Sequence, residues 1–334
     1  MPEFSFGRGY LKNSQFVAQN TAMFNNSTCS PVYSPYSSCC FDGTTRNQSS
    51  AFRALTLSTS IIVAILSPVA VVGNALIMAA VWRNHSLRTP SYILLFGLAC
   101  TDLFTGLVTQ PVHVAIEWML LKNPQETEKL QSFLLYGRPL VVVCGSYFAF
   151  LSIILVILMS VERWLHVARR HLLTVRRCCI IASTVSVLLI PLVVCLTFKG
   201  IDLLNKFAFP LLLVCLLTTS IAYYKVYRVI RRHQQQVQGN ESSENCGQPA
   251  INVAKYKKSV YTVLYIVVVF YITYVPSVVK IGFSIFYYDH CVLEWAQRIT
   301  VVFLFLPSSV NPLIYLWRMK DIRNEVKLNT CLSN

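Results

Sequence analysis

Charge is what this chain has least of. Asp, Glu, Lys and Arg make up 13% of its 334 residues, and the acids number 14 against 29 Lys and Arg. A soluble protein carries about 25% charged residues, so a soluble globular enzyme or binding module is excluded at the outset. The first 50 residues also lack the basic start and apolar core of a signal peptide, and the first apolar run is therefore expected to act as an uncleaved anchor. No internal repeat is visible, and deep intramembrane carboxylates are reduced to Asp102, which argues against a seven-helix transporter or ion pump. Clustered histidines and paired aspartates are missing as well. His166 and His171 lie together only in a loop, so no enzyme activity is expected.

What the chain has instead is apolar length. Hydrophobic residues make up 54% of it, and the mean hydropathy is positive. Seven runs, at 61–82, 92–116, 140–160, 178–198, 207–224, 259–279 and 299–317, are long enough to cross about 30 Å of hydrocarbon. From Arg318 to Leu328, Met319, Ile322 and Val326 share one helical face while Lys320, Arg323 and Lys327 take others, as in a helix lying on a membrane. The expected fold is an all-α membrane protein, a seven-transmembrane helix bundle with an amphipathic eighth helix. Residues 1–54 form an outer tail, 55–317 the bundle, and 318–334 the last helix and a short cytoplasmic tail.

The basic residues set the orientation. Loops after the first, third and fifth runs and the final tail hold 18 of the 29 Lys and Arg, and the opposite loops hold seven. The positive-inside rule then puts the amino terminus outside the plasma membrane and the carboxyl terminus in the cytosol. The net charge of +15 is mostly this topology signal, spread over short loops facing membrane lipids, and no nucleic-acid partner is expected. On the outer side, Asn25, Asn26 and Asn47 each begin an Asn-x-Ser/Thr glycosylation site. Cys29, Cys39, Cys40 and Cys291 also fall outside, where disulfides persist. The expectation is one bridge from the tail to Cys291, the alternative being a local tail knot that leaves Cys291 free. Cys331, just past the amphipathic helix, is a palmitoylation candidate or a plain thiol. The inner loop 233–249 is polar and Gln-rich and is expected to be disordered.

Polar residues inside the runs carry the functional reading. A charge at the depth of Asp102 costs a few kcal/mol or more unless it is paired, hydrated or bound to a cation. Asn74, Ser152, Ser308 and Asn311 come from three other runs and are placed to converge on it. Singly, each is helix-packing glue; as a set spread over four runs, they point to a site. Asn311-Pro312 adds a lost backbone donor and an amide needing a partner, the mark of a bend that moves.

Gly73-Asn74, Leu98-Ala99-Cys100-Thr101-Asp102, Glu162-Arg163-Trp164, Pro276 and Asn311-Pro312-Leu313-Ile314-Tyr315 occur in this order in the first, second, third, sixth and seventh runs. In that arrangement the chain resembles the rhodopsin-like (class A) G protein-coupled receptors. The resemblance implies that Asp102, Ser152 and Asn311, with Asn74 and Ser308, line a sodium and water pocket, sodium being an allosteric ion and no other cofactor being implied. It implies that Arg163, held by Glu162, is the cytosolic switch, that Tyr315 swings toward it on activation, and that Tyr274 beside Pro276 is the rotamer toggle. It also implies a heterotrimeric G protein as partner, with arrestin and receptor kinases. The bland reading of Arg163 is a residue snorkelling to the surface.

Departures from the family pattern are equally legible. Arg138 stands 25 residues before Arg163, where most relatives have the cysteine of a loop disulfide, and the second outer loop, 199–206, is short and has no Cys. Cys215 stands where the family has a span-five Pro. These features are similar to the melanocortin receptor branch, whose members carry Asp in place of Asn311. Twenty residues before Pro276 stands Tyr256, where many relatives have an acid that restrains the resting state, so appreciable basal signalling is expected.

For the ligand, Gly145 occupies the place of the monoamine-binding acid, 18 residues before Arg163, and Phe305 that of the retinal lysine, six before Asn311. A peptide or lipid is favoured over a monoamine or retinal. Candidate contacts are His113, Glu117, Arg138, Gly145, Ser146 and Lys280. Arg138 and Lys280 suit an anionic head group or carboxylate, or else pair with Glu117 or Asp289.

Overall fold

The computed structural model describes residues 41–42, 47–48, 50–122, 128–168, 173–240, 250–287 and 290–332. They fall in the unit Ser37–Asn334; a separate unit, Met1–Tyr36, lies outside the described residues. Outside them also lie Asn25, Asn26, Cys29, Cys39 and Cys40. Asn47, Cys291 and Cys331 fall within elements, but their side chains are not described.

A two-residue ladder, β1 (Phe41–Asp42) antiparallel to β2 (Asn47–Gln48), precedes the helices and is an addition to the all-helical expectation. The bundle follows: α1 (Ser50–Arg83), α2 (Pro90–Lys122), α3 (Glu128–Val167), α4 (Val175–Lys199), α5 (Ile201–Asn240), α6 (Ala250–Phe286) and α7 (His290–Arg318), then α8 (Lys320–Leu332). Among the described residues seven helices are long and apolar enough to cross a membrane. The bundle is thus a multi-pass one, as the apolar runs foretold.

Helix starts follow local chemistry. Pro90 opens α2 at a position where its missing N–H costs nothing. Thr174 caps α4, its hydroxyl accepting from the Arg177 N–H at 3.4 Å. The α4–α5 junction corrects the expected eight-residue outer loop: the connection is Gly200 alone, at φ 118°, a backbone region that favours glycine. The helices extend through the polar residues Lys199, Asp202, Asn205 and Lys206 until only one residue is left to turn. The inner loop 233–249 is corrected in part, because α5 continues as helix through Asn240. A run of Gln and charged residues with high helix propensity prolongs it past the apolar span.

Among the described residues packing includes two large clusters and a smaller one of Val63, Val301 and Phe305 between α1 and α7. One large cluster joins α2 to α6 through residues such as Leu98, Phe150, Ile153, Cys215 and Phe270; the other joins α1, α2, α7 and α8 through Ile77, Leu95, Tyr315 and Ile322. Ile322 is fully buried there, with Met319 and Val326 packed beside it, so α8 docks by the face its sequence pattern specifies. Ile65, Val187, Leu188 and Leu217 stay largely exposed on the outside of the bundle, as suits contact with acyl chains. In such a setting helix association depends on close packing and hydrogen bonds more than on expelling water.

Candidate functional site

Two prolines shape the region around Asp102, and α1 answers both. Pro312 inside α7 has no N–H to give the carbonyl of Ser308, four residues back. That carbonyl accepts instead from Asn74 Nδ2 of α1 at 2.8 Å, and the same amide donates to its own helix at Ala70. In α2 the turn Thr105–Thr109 is a π-helix, with the Gln110 N–H bonded to Thr105 O. The next residue in that register, Pro111, leaves the Gly106 carbonyl without its donor, and Ser67 Oγ of α1 supplies one at 2.8 Å. Both freed carbonyls are therefore satisfied from one neighbouring helix, without a break in the span. A Cβ on Gly73 would lie 2.7 Å from Pro312 Cγ, and one on Gly106 would lie 3.0 Å from Ala70 Cβ, so bare glycines bring the helices this close.

Asp102 is buried at 3% exposure. Its two oxygens accept separate bonds from α7, Oδ1 from Ser308 Oγ at 2.9 Å and Oδ2 from Asn311 Nδ2 at 3.1 Å. Among the described residues, no Lys, Arg or His forms an ion pair with it. The next hydroxyl pair, Thr101 Oγ1 and Ser152 Oγ at 2.8 Å, ties α2 to α3. Asp102, Ser152, Ser308 and Asn311 border one cavity of about 30 Å³, together with Tyr274 and Tyr315. That volume holds about two waters. Asn74 stands behind the cavity, holding the backbone of Ser308 rather than the carboxylate.

The switch residues are placed as follows. Glu162 is buried and accepts from Ser91 Oγ at the start of α2, while its nearest approach to Arg163 is 4.0 Å at Nε. Its firmer partner is thus a hydroxyl on another helix. Trp164 faces the ammonium of Lys225 on α5, 4.2 Å from the ring centre. Tyr315 is 2% exposed, packs with Ile77, Leu95 and Ile322, and its hydroxyl has no hydrogen-bond partner among the described residues. Tyr274 meets Phe270 in a tilted ring contact, centres 4.5 Å apart, and closes one side of the cavity near Pro276. Side chains near Tyr256 lie outside the described set.

Of the six ligand candidates, Gly145 borders this cavity. Glu117 is committed elsewhere, to a short ion pair with Arg298 of α7, which also lies over the ring of Phe52. His113, nearby on α2, packs edge-on against Phe305 at 5.7 Å. Arg138, Ser146 and Lys280 are partly buried, and among the described residues neither Arg138 nor Lys280 forms an ion pair. Three features were missed from sequence: Ser67, the Glu117–Arg298 pair and Lys225. Only Ser67 left a signal, a hydroxyl one residue before Pro68 in an apolar run, and that signal is too common to act on.

Comparison with known proteins agrees with this geometry. The family described as 7 transmembrane receptor (rhodopsin family) matches residues 73–201 and 202–315, and the interruption falls at the one-residue α4–α5 junction. Rat sphingosine 1-phosphate receptor 2 is 26% identical over 294 residues, covering 80% of this chain and 75% of that protein. Sphingosine 1-phosphate receptor 3 of Takifugu rubripes is 24% identical, over 75% of this chain and 65% of its own length. Mouse neuromedin-U receptor 2 is 36% identical over 64 residues, 19% of this chain and 16% of that protein. With the family match spanning the bundle from Gly73 to Tyr315, the chain belongs to the rhodopsin family of seven-transmembrane receptors and is a class A G protein-coupled receptor.

Proposed function

We propose that this receptor takes a largely apolar ligand of lipid character, with its amino end outside the plasma membrane and its basic face toward the cytosol. One observation carries the ligand class. Gly145 and Phe305 stand at the places where monoamine and retinal receptors keep their reactive groups, beside the apolar side chains of Phe148, Phe270 and Leu304, which line the same small cavity as Asp102. At these two places the chain offers neither an acid to pair with a ligand ammonium nor a lysine to form a Schiff base. Two of the relatives are sphingosine 1-phosphate receptors, which supports the same class. Lys280 and Arg138 lie toward the outer ends of α6 and α3 and suit an anionic head group above the apolar walls. A peptide is the second reading. Nucleotide exchange on a G protein panel tests the two: stimulation by lysophospholipids presented in vesicles supports the lipid reading, and stimulation by peptides alone overturns it.

The response itself follows from the bonds around Asp102. Its carboxylate joins α2 to α7 immediately before the Pro312 bend, so loosening the Asn311 bond lets the cytosolic half of α7 turn about that bend. Tyr315 then leaves its cluster with Ile322 and moves toward Arg163. A sodium ion fits the Asp102 cavity, since a buried carboxylate with no cationic partner among the described residues sits beside the hydroxyl of Ser152 and the groups of Ser308 and Asn311. When bound, such an ion supplies the countercharge that favours the resting arrangement. Arrestin and receptor kinases are the further partners proposed for the cytosolic face.

A further inference from the structure

From the cytosolic ends of α3 and α5, we infer that Lys225 is a positioning residue whose contact with Trp164 restrains the receptor in its resting state. The observation is a cation–π pair between two helices, with Lys225 Nζ 4.2 Å from the Trp164 ring centre, one residue from the switch Arg163. One turn deeper, Ser160 Oγ donates to Tyr223 OH at 3.4 Å. The two contacts make a clasp between α3 and α5.

A second tie gives the clasp its mechanical meaning. Near mid-depth, Tyr271 of α6 donates its hydroxyl to the Leu216 carbonyl of α5 at 2.9 Å and also meets Ser220 in a short hydrogen bond. Movement of α6 away from the bundle axis therefore pulls on α5. The α5 end that is pulled is the end clasped to α3, so the cytosolic cleft opens only as the Trp164 and Lys225 contact loosens. A contact that must loosen before the cleft opens belongs to the resting arrangement.

The inference rests on the orientation proposed above, which epitope accessibility at either terminus in unpermeabilised cells checks separately. The experiment is ligand-free G protein activation by the full-length receptor in cells, normalised to surface density, for Lys225→Gln, Lys225→Arg, Trp164→Phe and Trp164→Leu. Loss of one exposed cation–π contact is expected to raise basal activity about two- to five-fold. Lys225→Gln and Trp164→Leu should show the full rise, Trp164→Phe a smaller one, and Lys225→Arg should stay near the parent. The double variant Trp164→Leu with Lys225→Gln should be no more active than either alone. Basal activity unchanged in Lys225→Gln and Trp164→Leu overturns the inference. So does a rise in Lys225→Arg equal to that in Lys225→Gln. If the variants reach the surface poorly, thermal stability of purified protein separates a folding role from a state-selective one: lowered stability with unaltered activity per receptor also overturns it.

Discussion

Gly73 of α1 and Pro312 of α7 are in direct contact, with room for no side-chain atom between them: a Cβ on Gly73 would sit 2.7 Å from Pro312 Cγ and 2.8 Å from its Cβ. The ring that bends α7 thus rests on the bare backbone of α1, one residue before the amide that caps the bend's free carbonyl. The bend is held in place by packing and by a hydrogen bond from the same turn.

Gly73→Ala is expected to lower stability by about 1–3 kcal/mol, the usual cost of overpacking a tight contact. Gly97→Ala is the control, since a Cβ there would meet Leu155 at an ordinary 3.5 Å. Thermal unfolding of the purified proteins should show a drop for the first and little change for the second.

Asn74→Ala leaves the Ser308 carbonyl without its inter-helix donor. Single hydrogen bonds between membrane helices are worth about 0.6 kcal/mol on average and reach about 1.7, and this buried one should lie toward the upper figure. In a Pro312→Ala background the restored N–H satisfies the same carbonyl, so the cost of Asn74→Ala should shrink. A cycle of the four proteins measures the coupling, and full additivity would show that the amide does not serve the proline's missing bond.

The fold was almost entirely legible, because spanning helices announce themselves by apolar length, and α8 by the spacing of Met319, Ile322 and Val326. The convergence of Asp102, Ser308 and Asn311 was legible too, since polar residues at one depth in lipid have only one another to bond. The partners of Glu117 and Trp164 were not. Arg298 lies in the third turn of α7 and Lys225 well inside α5, and which acid or ring each one faces depends on helix rotation, which sequence does not encode locally. The length of the Gly200 junction escaped notice because Lys199, Asp202, Asn205 and Lys206 give the stretch the polarity of a loop, although Gly200 itself is the residue type that ends a helix.

Glu117 and Arg298 form a buried pair between α2 and α7. Breaking such a pair from one side leaves an uncompensated charge and costs about 3–5 kcal/mol, whereas replacing both partners is far milder. Arg298→Met is therefore expected to reduce surface expression strongly, and Glu117→Gln with Arg298→Met to recover much of it. Flow cytometry of surface-labelled receptor checks both.

Asp102→Asn keeps the shape of the side chain and removes its charge. The parent receptor is expected to be more heat-stable in sodium chloride than in choline chloride at equal ionic strength, and the variant to show no difference between the salts. Equal stability of the parent in both salts would remove sodium from the account and leave the hydrogen bonds to Ser308 and Asn311 as the link between α2 and α7.

The most direct test of the whole reading is nucleotide exchange across a panel of heterotrimeric G proteins, measured without added ligand in membranes carrying a known density of the receptor. The switch built from Asp102, Asn311, Pro312 and Arg163 is expected to drive exchange on at least one G protein above the level of receptor-free membranes, and Arg163→Ala is expected to abolish it. Exchange indistinguishable from receptor-free membranes for every G protein, or exchange that survives Arg163→Ala undiminished, would contradict it.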